Sequence, residues 1–203
     1  MSPQRLRAQI RQGRILASRV GRDWAIDPSA LPKERRGSRP MSRRMAWAFI
    51  EMASGVSPVG LDPSEASRLR KRVARLRESE NQASLLRDWL PARGRRICFK
   101  SKDIDFLRDE PRFLLSGLSL PESGLNGSAV VEAYVLSGDL HAVIARHMLR
   151  ESSPSVADVV LHEVDSLDFD PHMPALIAAD LAMYDDQHFR EDARVEAILK
   201  DFL

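Results

Sequence analysis

The chain has 203 residues, 43% of them apolar, and its 31 Lys and Arg are nearly matched by 29 Asp and Glu. That length suits one medium domain or two small ones, each able to bury a core. No apolar run approaches the roughly 18 residues of a membrane span, the polar, basic N-terminus is unlike a secretory signal, and a lone Cys98 excludes an internal disulfide, so a cytoplasmic protein with no membrane partner is expected.

The first element predicted is a helix over Ser2–Gly13. Ser2 can cap it, Pro3 suits its first position, and Gly13 is placed to end it. Leu6 and Ile10 fall one turn apart on one face, and basic and polar residues cover the rest. Next come Ile15-Leu16, Arg19-Val20, the break Gly21-Arg22-Asp23, and Trp24-Ala25-Ile26, which together read as a short hairpin; Asp27-Pro28 opens a new turn. Residues 32–41 are basic and broken by Pro32, Gly37 and Pro40, so they read as an extended linker.

Ser42 can cap a helix that runs to Ser54, with Met45, Ala48, Phe49 and Met52 on one side, Trp47 alongside and Gly55 closing it. Asp62-Pro63-Ser64-Glu65 is a strong helix start. It opens a helix whose apolar stripe is only Leu69, Val73 and Leu76, set among six basic residues. Asn81–Leu90 continues helically until Pro91. From Arg95 the pattern changes. Ile97–Phe99, Phe113–Leu115, Ala129–Leu136 and Val156–Val164 read as strands. Short helices are expected over Lys102–Arg108, after Ser137-Gly138-Asp139 (with Leu140, Val143, Ile144 and Met148 inward), over Ala175–Tyr184 and over Phe189–Phe202. Strands and helices in that order predict an α+β fold, with a helix-and-hairpin module over 1–40, a helical connecting region over 41–94 and an α+β domain over 95–203.

Charge divides along the same line. Residues 1–100 hold 23 Lys and Arg against 9 Asp and Glu; residues 101–203 hold 8 against 20. Arg dominates over Lys, which favours bidentate pairing with phosphate or carboxylate. Such a split suggests two regions with different partners, the basic one drawn to a polyanion. The alternative is that the two halves carry solvated faces and attract each other.

The run SPQRLRAQIRQGRI followed by RVGRDWAIDPSAL resembles excisionase-like and MerR-like winged helix-turn-helix proteins. The resemblance implies a recognition helix in the major groove of double-stranded DNA and a wing along the backbone. It assigns DNA contacts to Gln4, Arg5, Arg7 and Arg11 on the helix, to Arg14 just past its end, and to Arg19 and Arg22 on the wing. That family carries a first helix ahead of the recognition helix, and only Met1 precedes Ser2. The expectation is therefore that Ser42–Ser54 packs in its place or that the terminus moves freely. Farther on, FLLSGLSL, VVEAYVLSGDLHAVIARHMLR, ADVVLHEV and ALIAADLAMYDD resemble in order the C-terminal region of AbiEi-type antitoxins. Those proteins join a DNA-binding module to an α+β domain and are paired with a nucleotidyltransferase-like toxin.

Signs of catalysis are few. His141, His147, His162, His172 and His188 include no pair at the i, i+4 spacing of a helical metal site, and they read as structural or surface residues. Ser116–Pro121 lacks the glycine that a nucleophile elbow needs. Asp165, Asp168, Asp170, Asp180, Asp185 and Asp186 read as solvated carboxylates rather than a magnesium site, and Cys98 as a small buried hydrophobe. The expectation is a protein that is not an enzyme and has no cofactor or metal. Its function would be that of an autorepressing DNA-binding antitoxin that binds a cognate toxin. The alternative is a stand-alone transcriptional regulator whose C-terminal domain forms a homodimer or senses a ligand.

Overall fold

The computed structural model describes residues 17–20, 23–26, 39–124, 129–184 and 191–200. The chain divides into two compact units, Met1–Arg36 and Gly37–Leu203.

In the first unit, β1 (Ala17–Val20) pairs antiparallel with β2 (Asp23–Ile26). The register runs from Ala17 opposite Ile26 to Val20 opposite Asp23, leaving Gly21 and Arg22 between the strands. A hairpin therefore stands where alternation and the glycine predict one. The expected recognition helix and the turn at Asp27-Pro28 lie outside the described residues.

The second unit is an α+β fold. Its helices are α1 (Arg43–Ala53), α2 (Pro63–Arg77), α3 (Gln82–Trp89), α4 (Asp105–Arg108), α5 (Leu140–Arg146), α6 (Pro174–Leu181) and α7 (Glu191–Lys200). Its strands are β3 (Arg95–Lys100), β4 (Leu114–Leu115), β5 (Val131–Leu136), β6 (Arg150–Glu151) and β7 (Val159–Val164). They form one sheet in the order β4-β5-β7-β3-β6, with only β5 and β7 parallel.

Alternation along the strands sends side chains to two different layers. Ile97, Phe99, Val131, Ala133, Val135, Val159 and Leu161 face a small core with Leu107, Leu140, Val143 and Leu149 from α4, α5 and the turn after α5. The opposite face, with Tyr134 and Val164, packs on the larger core built from α1, α2, α3, α6 and α7. Helix α6 is apolar almost all round and is buried from Ala175 to Leu181, as a helix enclosed on every side must be.

Local signals explain most element ends. The Asp62 side chain accepts from the Glu65 backbone N–H at 2.8 Å, and the Asp62 N–H donates back to the Glu65 carboxylate at 3.2 Å. That is the capping box the sequence predicts, and it fixes the helix whose three apolar residues Leu69, Val73 and Leu76 are all buried. Ser42 stands at the N-cap of α1, but its side chain makes no capping bond. Gly55 follows α1 at φ +80°, a left-handed conformation that favours glycine.

Several expectations are corrected. Residues 41–94 are not a connecting region: Ala46, Phe49, Ile50 and Leu86 lie in the same core as α6 and Tyr134. That burial engages the apolar face of α1 within residues 37–203. Met148 does not point inward. Helix α5 ends at Arg146, Met148 turns the chain at φ 48° with 68% exposure, and Leu149 enters the core instead. The strand expected from Val156 begins at Val159, because Pro154–Val156 forms a short 3-10 turn. Strand β6 has no counterpart among the predicted elements; its two residues pair with Phe99 and Lys100.

Candidate functional site

The sheet face turned toward α6 carries three fully buried polar residues from β5 and β7. Glu132 and Tyr134 project from β5 and His162 from β7, where Tyr134 stands opposite His162 in the parallel register. Asp180 comes down from α6, and Arg93 enters from the turn Pro91–Arg93. All five are buried.

The Arg93 guanidinium donates to Asp180 Oδ1 from Nη2 (2.8 Å) and Nε (3.2 Å), and to Tyr134 Oη (3.1 Å). It also donates to the carbonyls of Leu90 (3.1 Å) and Ala179 (3.2 Å). The Tyr134 hydroxyl donates to the same Asp180 oxygen at 2.8 Å. Burial opposes the Arg93 charge, but Tyr134 and the Asp180 carboxylate outweigh it and hold the guanidinium above its usual range. Burial, reinforced by Asp180, likewise pushes the Tyr134 phenol well up, so it remains a neutral donor. Beside this group, His162 Nε2 lies 2.8 Å from Glu132 Oε1, and Glu132 Oε2 accepts the Leu118 backbone N–H at 3.0 Å. The Tyr134 ring stacks on His162 with centroids 4.7 Å apart.

Glu132, His162 and Asp180 each offer a ligand atom, all within 4.8 Å of one another, so a metal has to be considered. Charge balance argues against a divalent ion. The two carboxylates carry two negative charges and Arg93 one positive. Arg93 already sets a positive charge against Asp180, and a divalent cation here would stand against that guanidinium. The arrangement serves to fasten the sheet to α6 and to the turn at Arg93. It also corrects one expectation, since Asp180 is a fully buried helical residue rather than a solvated one, while His162 is a structural core histidine. Asp165, Asp168 and Asp170 are exposed as expected, whereas Asp185, Asp186 and His188 lie outside the described residues. Cys98 is buried on β3, and burial raises its thiol.

A second buried carboxylate, Glu110, accepts from Arg112 Nε at 2.6 Å and Nη2 at 3.2 Å, and lies 2.6 Å from His147 Nε2. The Arg112 hydrogen bond, helped by His147, lowers its carboxyl from 4.5 to about 2. A carboxyl depressed in the folded state contributes stability above its unfolded value and loses that contribution as pH falls through the folded one. Glu110→Gln is therefore expected to lower the urea midpoint at pH 6, and the gap to the unsubstituted chain should narrow between pH 4.5 and 2. An equally wide gap at pH 2 would show that the charge of Glu110 is not what stabilises the fold.

The surface offers a different chemistry. Helix α2 exposes Arg68, Arg70, Lys71, Arg75 and Arg77, with Arg72 half-buried. Its one acidic residue, Glu65, pairs with Arg44. By contrast, three of the 20 acidic residues beyond residue 100, besides Asp180, pair with the basic middle of the chain among the described residues. Arg43 pairs with Asp165, Arg95 with Glu163 at 3.1 Å, and Lys100 with Asp158 at 2.7 Å. Counted by structural unit, residues 1–36 hold nine Lys and Arg against three Asp and Glu, and residues 37–203 hold 22 against 26. The half-and-half split is thus partly an internal attraction, while the N-terminal unit keeps a clear positive excess.

No protein-family model, curated protein or solved structure matches the chain. Its chemistry is read from its own residues. Of the residues assigned to DNA, Arg19 lies on β1 opposite Trp24; Gln4, Arg5, Arg7, Arg11, Arg14 and Arg22 lie outside the described residues. The buried network escaped sequence reasoning, although a signal existed. Glu132 interrupts the run Val131–Leu136 at the same alternation as Tyr134, and a carboxylate at an inward strand position needs a buried partner.

Proposed function

We propose that the protein is a DNA-binding regulator in which residues 1–36 contact duplex DNA and residues 37–203 hold a protein partner. The observation that carries the reading is the separation of a small, strongly basic unit containing the hairpin β1–β2 from a larger unit with a slight acidic excess. A basic excess concentrated in one small unit draws a polyanion, and a hairpin can lie along a duplex backbone. In its specific form the protein is an antitoxin: it represses its own operon and covers a nucleotidyltransferase-like toxin with the larger unit.

The test has two arms. The full chain is expected to shift a duplex of its own promoter, and Arg19→Ala or Arg22→Ala should each lower the salt slope of binding by about one. Coexpression should rescue growth from the product of the adjacent gene and copurify with it. Binding that is indifferent to both arginines refutes the hairpin's role. A neighbour that causes no growth defect removes the antitoxin and leaves a stand-alone regulator.

A further inference from the structure

Helix α2 carries more positive charge than its surroundings use. Among the described residues no carboxylate forms an ion pair with Arg68, Arg70, Lys71, Arg72, Arg75 or Arg77. At 3.6 residues per turn, Arg68, Lys71, Arg72 and Arg75 fall in one arc beside the buried stripe of Leu69, Val73 and Leu76. Two of them are held in place. The Arg72 and Arg75 guanidiniums lie 5.3 and 5.6 Å from the ring centroid of buried Trp89, within cation–π range. Burial, together with the neighbouring Arg75 and Arg68 charges, lowers the Arg72 guanidinium. Its Nη1 is buried with no hydrogen-bond partner.

Like charges packed side by side destabilise a helix unless something opposes them. Arg68 to Arg75 spans about 10 Å of helix, and duplex DNA presents one charge per roughly 1.7 Å of its axis, so one such face meets several phosphates. Arginine's planar fork pairs bidentately with phosphate oxygens, and five of these six cations are arginine. We infer that the exposed face of α2 is a second phosphate-contact surface for duplex DNA, separate from the hairpin unit. The inference shares its partner with the proposed function and rests on that reading to this extent.

The experiment uses the full chain and a 30-bp duplex of random sequence, with affinity followed by fluorescence anisotropy from 50 to 300 mM salt. A cation that no longer neutralises its phosphate lowers the slope of log affinity against log salt by about 0.9, so Arg68→Gln/Lys71→Gln/Arg75→Gln should lower it by about 2 to 3. Lys71→Gln alone should lower it by about 0.9 and provides the test if the triple variant does not fold. Arg68→Lys/Arg75→Lys, which keeps the charge, should leave the slope almost intact. A slope unmoved by the α2 variants overturns the inference even where Arg19→Ala lowers it and the hairpin reading stands. The reverse pattern supports α2 and refutes the hairpin. Absence of duplex binding at 50 mM salt overturns both. Poly-glutamate bound more tightly than the duplex, with only that binding abolished in the variants, assigns the face to an acidic protein and also overturns the inference.

Discussion

Asp180→Ala is expected to destabilise the fold by about 3–5 kcal/mol, the range for removing one partner of a buried ion pair. Without the carboxylate, the Arg93 guanidinium stays buried beside Tyr134 with its charge uncompensated, and the hydroxyl that donates to Asp180 Oδ1 loses its acceptor. Replacing both partners with apolar residues of similar size, Arg93→Met/Asp180→Leu, should recover about half of the loss. Recovery is incomplete because the Leu90 and Ala179 carbonyls then lack the donors that Arg93 provides. Urea unfolding of the single and double variants gives the comparison directly. An Asp180→Ala midpoint within about 1 kcal/mol of the parent would mean that the network is not an uncompensated pair waiting to be broken.

Gly117→Ala is the other large effect. Gly117 opens the turn Gly117–Ser119 at φ +47°. A side chain there costs about 1–2 kcal/mol for the left-handed conformation alone. An added Cβ would also overlap the Glu132 carboxylate and come within 2.9 Å of Asp180 Cβ. Neither obstacle is the loose end of a surface chain: Glu132 is tied to His162 and Leu118, and Asp180 sits in a helix buried on all sides. The total should exceed about 3 kcal/mol. Gly55→Ala is the control, since Gly55 has φ +80° but nothing within 4 Å of the added carbon. It should cost only about 1–2 kcal/mol, the backbone share alone. Thermal or urea melts of the pair separate conformational strain from overlap, and equal losses would refute the overlap.

What the sequence made legible is what local chemistry decides. Asp62-Pro63-Ser64-Glu65 predicts its own capping box, the Leu69, Val73 and Leu76 stripe predicts the buried side of α2, and Gly55 marks the end of α1. The branched runs of β5 and β7 are equally plain, and so is the α+β class. The buried network was not legible, because Arg93, Glu132, His162 and Asp180 are joined only by the fold; Arg93 and Asp180 stand 87 residues apart. Asp180 looks like one more carboxylate of an acidic C-terminal half until α6 is known to be enclosed. The same applies to the charge split. Arg43 and Asp165 belong to opposite halves of the sequence, yet they neutralise each other in one unit. Met148 failed for a local reason: three-and-four spacing carries a helix onward, and nothing in the sequence announces a non-glycine residue at positive φ.

The strand order of the five-stranded sheet bears on how residues 37–203 can recognise anything. Both outer positions belong to two-residue strands, Leu114–Leu115 on one side and Arg150–Glu151 on the other. A peptide that binds by adding a strand needs a run of unpaired backbone donors and acceptors, and so does a misfolded copy that aggregates by edge-to-edge pairing. Neither outer strand is itself a run of useful length, and β6 carries adjacent opposite charges on its exposed residues. Backbone zippering, orderly or pathological, is therefore poorly templated at these borders. A partner adding a strand beside β4 or β6 would find only two residues on each to pair with.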